Sequence, residues 1–215
     1  MENLLIVFVK APVEGQVKTR LSPPLSLFAA KELYLRMARS IYQGVAQIAG
    51  VRVAVAYATQ KNYPSPNWLW DNLKTQAAFE WFAQSGEDLG ERLVGAFNWG
   101  FAQGAARVSV IGTDSPGLPA NQILLAFNLL KDKDLVLGPA LDGGYYLVGL
   151  NSPIADLMFG GVKWSGPDVL ETTLRRCRSL GKSAGLLPAY FDIDVAEDLK
   201  YLETPELRHL LGLNE

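Results

Sequence analysis

Six consecutive apolar residues, Leu4-Leu5-Ile6-Val7-Phe8-Val9, lie near the start of the chain and give way to Lys10-Ala11-Pro12. An unbroken apolar run of this length predicts a strand buried on both faces, as in a parallel sheet. Residues 26–49 follow another rhythm. Leu33, Met37, Ile41, Val45 and Ile48 recur three or four apart, which predicts one long helix with Gly50 as its stop. A β-branched, apolar stretch at 51–58 predicts the second strand, a turn-rich loop follows at 61–66, and 76–82 predicts a third strand. Asp88-Leu-Gly-Glu91 has the spacing of a capping box and opens a helix reaching about residue 103. A fourth strand is expected at 108–111, a helix at 119–131, and strands at 135–137 and 145–150. Ser165-Gly-Pro-Asp168 opens a helix to residue 180. Asp194-Val-Ala-Glu197 and Thr204-Pro205 read as starts of two short helices.

Strands alternate with helical patterns through the first two-thirds of the chain, which argues for an α/β sheet with right-handed crossovers. No linker, charge block, low-complexity tract or repeat interrupts the 215 residues. One domain, 1–215, is the expected count, and a chain of this size buries about 70% of its unfolded surface without a disulfide or metal staple.

Composition narrows the chemistry. A single cysteine, Cys177, excludes an internal disulfide framework and a Cys-rich zinc site, and a single histidine, His209, excludes a His-rich metal centre within one chain. The net charge of -2 lacks the basic excess of a general nucleic-acid binder. The N-terminal apolar run is far shorter than the ~20 residues that span a bilayer, and it carries neither a basic flank nor a small-residue cleavage site. A cytoplasmic protein with Cys177 reduced and no membrane insertion is expected. Catalysis would then rest on carboxylates, lysines, arginines, hydroxyls or backbone groups.

In open α/β sheets ligands sit beyond the carboxyl ends of the strands, and several segments there stand out. Residues 10–21, KAPVEGQVKTRL, place three cations and Gly15 directly after the first strand. Gly15 permits a close backbone approach, and Lys18 and Arg20 can neutralise phosphate charge. Neither a Walker A loop nor a G-x-G-x-x-G fingerprint is present, and a solvated basic loop is the alternative. Gly112-Thr-Asp114-Ser-Pro116 sets a carboxylate at a strand end, suited to a divalent cation or to a plain Asp-Ser-Pro turn. Asp142-Gly143-Gly144 predicts a hairpin or a close ligand approach, with Asp142 as turn former or substrate contact, and Tyr145 as core or ligand platform. Asp192-Ile193-Asp194 puts two carboxylates on one face of an extended segment; Asp194 also suits a capping box with Glu197. Arg175, Arg176 and Arg178 read as a solvated helix face that can lower the Cys177 pKa. Cys177 itself reads as structural and His209 is given no role. Trp68, Trp70, Trp81 and Trp99 read as core or loop anchors, and Trp164 as a pocket wall.

Together, residues 10–21, GEDLGERL (86–93), GTDSPGLP (112–119), GPALDGGYYLVGL (138–150), VKWSGPDVL (162–170) and FDIDVAEDL (191–199) resemble a bacterial family of GT-A-like transferases. The family is also called radical-SAM or selenodomain-associated transferases and is described as glycosyltransferases. It is distantly similar to 2-phospholactate guanylyltransferase and the molybdenum-cofactor guanylyltransferases. The resemblance implies a GT-A, Rossmann-type three-layer sandwich with a mixed, mostly parallel sheet. It implies nucleotide phosphates on Gly15, Lys18 and Arg20, and Mg²⁺ or Mn²⁺ on Asp114 with Asp194 and Asp192. We expect catalytic groups at Asp114, Asp142 and Lys18, and nucleotide contacts along Lys10, Pro12, Gly15, Lys18, Thr19, Arg20, Gly143 and Gly144. The expected reaction is metal-dependent glycosyl transfer from a nucleotide sugar to a small-molecule acceptor. Nucleotidyl transfer from an NTP with release of pyrophosphate is the first alternative. A non-catalytic nucleotide-binding module is the second; it draws on Gly166 where a threonine is usual, and on Glu14 and Gln16 where proline and a basic residue are common.

Overall fold

The computed structural model describes residues 2–60, 65–70, 79–162, 164, 166 and 168–213. Strands β1 (Asn3–Lys10), β2 (Val51–Ala58), β3 (Glu80–Ala83), β4 (Arg107–Ile111), β5 (Leu135–Pro139), β6 (Tyr145–Leu150) and β7 (Ala184–Leu186) form one sheet in the order β3-β2-β1-β4-β6-β5-β7. All pairings are parallel except those of β6, which runs antiparallel to both β4 and β5. The sheet is therefore mixed and mostly parallel. Asp142-Gly143-Gly144 makes the β5–β6 hairpin turn, closed by the Ala140 N–H on the Gly144 carbonyl at 3.0 Å.

The apolar run of β1 is buried on both faces because alternate side chains enter separate cores. Leu5, Val7 and Val9 pack with α1 (Leu27–Val45) and α4 (Ala120–Leu129). Leu4 and Ile6 pack with α3 (Leu89–Ala102), α5 (Ala155–Phe159) and α6 (Val169–Ser179). Helices thus cover both faces of the sheet. A third cluster joins Leu21, Leu33 and Met37 to Ile193 and to Leu207 of α7 (Pro205–Leu210), folding the C-terminal segment back over α1.

Several boundaries differ from the sequence pattern. Helix α1 starts on its Ser26 cap, whose hydroxyl accepts from Ala29 N, but it ends at Val45 rather than residue 49. Bonds three residues apart, from Gln47 N to Gly44 O and from Ile48 N to Val45 O, replace the α-helical pattern beyond Val45. The third strand occupies Glu80–Ala83; residues 76–78 of that expectation, like 61–64 of the expected loop, lie outside the described residues. The late helix begins at Val169 after Asp168; Ser165 and Pro167 lie outside the described residues. Helix α2 (Asn67–Trp70), α5 and β7 are too short for a periodic signal. Among the described residues no helix is long and apolar enough to cross a membrane.

Candidate active site

After β1 the chain runs to β2 on one side, whereas β4 returns to pair with β1 on the other. Loops leaving the carboxyl ends of β1 and β4 therefore diverge and leave a crevice between them. Lys10, the last residue of β1, is pinned by Tyr34 of α1. The Tyr34 hydroxyl accepts from Lys10 N at 2.7 Å and donates to Lys10 O at 2.9 Å. Burial pushes the Tyr34 phenol up, so it remains a neutral two-way hydrogen-bonding group. The loop then needs two residues of positive φ. One is Gly15, at φ 74. The other is Lys18, at φ 51 and ψ 34, a conformation costing an L-residue with a β-carbon about 1–2 kcal/mol.

That strain has a visible return. The Lys18 side chain is only 4% exposed, and its ammonium lies 2.8 Å from Asp114 Oδ1 and 3.4 Å from Asp194 Oδ1. The exposed Arg20 guanidinium binds the other Asp194 oxygen at 2.6 Å. Asp114 and Asp194 are brought together by the main chain: Ile193 N donates to Asp114 O at 2.8 Å, while the Ile193 side chain is fully buried. The flanking Asp192 and Asp194 side chains then fall on the cleft side, as the alternation of an extended segment requires. The expected capping box from Asp194 to Glu197 is absent. The 3-10 helix over Ala196–Glu203 has Val195 at its cap position. Asp198 reaches back to accept from Asp194 N at 2.9 Å and Val195 N at 2.8 Å. With Asp198 serving the backbone, both Asp194 oxygens are free for cations.

Asp192 is a part-buried carboxylate of this group. Burial, reinforced by the negative charges of Asp142 and Asp114, raises its pKa to about 6. Asp142 forms an Asx turn through Gly144 N at 2.8 Å and is otherwise exposed. Two adjoining cavities open here. The first, about 300 Å³, is lined by Lys10, Lys18, Tyr34, Gln84, Arg92 and Asp114, among others. The second, about 760 Å³, is lined by Arg20, Asp142, Gly144, Trp164, Gly166 and Asp198, among others. Leu89, Tyr145, Asp192 and Asp194 belong to both, so they form one continuous cleft. Tyr145 packs edge-on to Trp164, with ring centroids 6.3 Å apart, forming an aromatic wall.

The sequence-derived candidates separate accordingly. Lys10, Lys18, Arg20, Asp114, Asp142, Gly144, Asp192 and Asp194 line the cleft. Gly15, Pro12, Thr19 and Gly143 do not. Pro12 is buried and Thr19 exposed. Gly143 accepts from Leu170 N with its carbonyl and so ties α6 to the hairpin. Sequence reasoning did not single out Tyr34, Gln84, Arg92 or Asp198. Arg92 lay within the GEDLGERL motif, and its Nε now holds the Gly86 carbonyl at 3.1 Å. The Gln84 amide nitrogen donates to Ala56 O at 2.8 Å and Val9 O at 3.4 Å, across the ends of β2 and β1. Cys177 is buried, and burial followed by the Asp134 charge raises its pKa, opposite to the lowering expected from the neighbouring arginines. Arg175 and Arg178 instead pair with Glu171 on the solvated face of α6.

The cleft's donors are hard carboxylate oxygens, the type that Mg²⁺ or Mn²⁺ prefers. Mutually repelling carboxylates around Asp192 also suit a cation. Among the described residues no group of three or more His, Cys, Asp or Glu side chains is arranged as a metal site.

Known proteins share this architecture. A protein from Desulfovibrio desulfuricans G20, named provisionally as a nucleotide-diphospho-sugar transferase, is 31% identical, with all of this chain and 96% of that one covered at a TM-score of 0.86. A nucleotidyl transferase from Methanothermobacter superposes with a TM-score of 0.65 at 11% identity, covering 99% of each chain. The 4-diphosphocytidyl-2C-methyl-D-erythritol synthase from Anaerococcus prevotii gives 0.59 at 9% identity, over 93% of this chain and 94% of that one. These last two share the fold alone. No curated protein sequence matches the chain. Residues 36–166 match the family of uncharacterized proteins conserved in bacteria, DUF2064, and the chain belongs to that family.

Proposed function

We propose that the protein is a divalent-cation-dependent transferase that uses a nucleotide sugar as donor and a small molecule as acceptor. The observation that carries this reading is the meeting of Lys18 and Arg20 with Asp114 and Asp194 in the crevice between β1 and β4. The nucleotide-diphospho-sugar transferase name of the 31%-identical neighbour supports the donor class.

Asp114 and Asp194 would hold Mg²⁺ or Mn²⁺, with Asp192 beside them, and the ion would supply neutralisation of the charge on the diphosphate oxygens. Lys18 and Arg20 stabilise the same charge as it grows on the leaving group. The anomeric carbon–oxygen bond to phosphate breaks, a bond forms from the acceptor oxygen to that carbon, and the acceptor proton leaves to a base or to water. Asp142, fixed by its turn, has an oxygen left to orient the acceptor hydroxyl. The aromatic wall of Tyr145 and Trp164 screens that side of the cleft from water. Positioning and electrostatics carry the step, with no covalent enzyme nucleophile.

A thermal-shift series with nucleotide sugars and NTPs, each with and without Mn²⁺, tests this. Ligand at 100 times its dissociation constant adds about 2.7 kcal/mol, or about 5–10 °C for a chain of this size. A nucleotide sugar with Mn²⁺ should give that shift, and turnover should release nucleoside diphosphate. Stabilisation by NTPs alone with pyrophosphate release would move the assignment to nucleotidyl transfer. A metal-independent shift retained in Asp114→Ala would remove the cation. Binding without product release across a broad acceptor panel would leave a non-catalytic nucleotide-binding module.

A further inference from the structure

The ammonium of Lys18 sits where it holds one oxygen of Asp114 and one of Asp194, the two carboxylates assigned above to the cation. Its side chain is 4% exposed, whereas those of Asp114 and Asp194 are 47% and 38% exposed. A buried ammonium is compensated only by its partners, so Lys18 cannot lose Asp114 and Asp194 without another anion to meet it. A divalent cation arriving alone faces the converse difficulty. It must enter a pair of carboxylates already neutralised by Lys18 and, on Asp194, by Arg20 at 2.6 Å. Neither exchange is favourable by itself. Both become favourable together when a diphosphate accepts the ammonium as the metal takes the carboxylates.

We infer that Lys18 is a built-in placeholder cation, and that the carboxylate site takes its divalent ion only in company with a nucleotide phosphate. The inference rests on the transferase reading and adds an order of assembly to it. The backbone supports it independently. Lys18 is the one described non-glycine residue with positive φ, at 51°. An ordinary αR or β conformation would avoid that cost. The strained conformation delivers the amine between the two carboxylates, and strain of this kind persists where the surroundings over-determine it. The lysine stem is unbranched and its ammonium is a compact charge, so it can change partners without moving the loop. Coupling of this kind is reciprocal: nucleotide must tighten the cation by the same factor that the cation tightens nucleotide.

The test is Mn²⁺ binding followed by electron paramagnetic resonance, without turnover, on the full chain. Wild-type protein should bind free Mn²⁺ weakly, and saturating nucleoside diphosphate should tighten it at least tenfold. Lys18→Met, which keeps the stem and removes the charge, should bind free Mn²⁺ at least tenfold more tightly than wild type. It should also lose most of the nucleotide-dependent gain. Lys18→Gly, which the backbone at φ 51 accepts without strain, gives the same readout should the methionine variant fail to fold. Free Mn²⁺ binding that is no tighter in either variant than in wild type overturns the placeholder role. Failure of any nucleotide to bind wild-type protein would overturn the transferase reading instead, and the comparison of free Mn²⁺ between variants would still stand.

Discussion

Two aspartates at opposite ends of the same sheet live in opposite circumstances. Asp134 sits just before β5 begins. Its carboxylate accepts from Ser183 N at 2.9 Å and Ser183 Oγ at 2.8 Å, with Lys182 Nζ at 3.0 Å. These partners, the Ser183 backbone N–H first, hold its pKa down to about 2. Asp192 lies beyond the carboxyl ends of the strands, part-buried, facing Asp142 and Asp114, with its pKa pushed up to about 6. One end of the sheet spends its polar groups on holding the fold. The other crowds carboxylates around Asp192, a perturbed-charge arrangement typical of binding sites.

The largest effects should separate the two ends. Asp114→Ala should cut turnover by about 10²–10³-fold, the usual loss when one preorganised electrostatic partner of the transition state is removed. Its melting temperature should fall less than that of Asp134→Ala, because the buried Lys18 ammonium keeps Asp194 as a partner. Asp134→Ala should do the reverse. Losing charge-assisted bonds and stranding the Ser183 donors costs about 2 kcal/mol, or about 4–8 °C, with turnover at 25 °C nearly unchanged. A comparable fall in melting temperature for both variants would abolish the distinction. The Asp134 contribution also has a pH signature. Its folded pKa is lowered, so the stability it provides is present above about pH 4 and drains away as pH falls towards 2.

A smaller effect of opposite sign is expected at Asp192. Its folded pKa is raised, so the protonated form is favoured in the native state, and stability falls as pH rises from about 4 through 6. Asp192→Asn should therefore melt higher than wild type at pH 8, by on the order of 1 kcal/mol after allowance for solvent screening. The difference should vanish below pH 4 in a series of thermal melts. A variant less stable than wild type at pH 8 would show that Asp192 is stabilised as an anion, like Asp134.

Much of this molecule is written locally. The unbroken run of β1 and the stripe of Leu33, Met37 and Ile41 needed only period and burial to be read. Asp114 was visible because a carboxylate stands at a strand end before a proline turn. The direction of β6 was not readable from its burial, since the alternation of a fully buried strand is the same in parallel and antiparallel pairing. Asp198 was missed because a one-residue shift of the cap, from Asp194 to Val195, decides which acid faces the backbone and which faces the cleft. Tyr34 was hidden for another reason. On a helix its spacing reads as core, and only the tertiary fold brings its hydroxyl to Lys10, 24 residues away.

The hydrogen bond from Ile193 to Asp114 bears on how the molecule comes into being during synthesis. A nascent chain that has left the ribosome through residue 180 already carries β1 to β6 and the whole of the first loop. It lacks Asp192 and Asp194, so Lys18 has Asp114 but not its second anionic partner. Such an intermediate holds half a site. Emergence of residues 181–213 both closes the hydrophobic cluster around Ile193 and brings Asp192 and Asp194 to the cleft. On the proposed reading, competence to capture a metal–nucleotide complex should therefore appear only once Asp194 has joined Asp114 and Lys18.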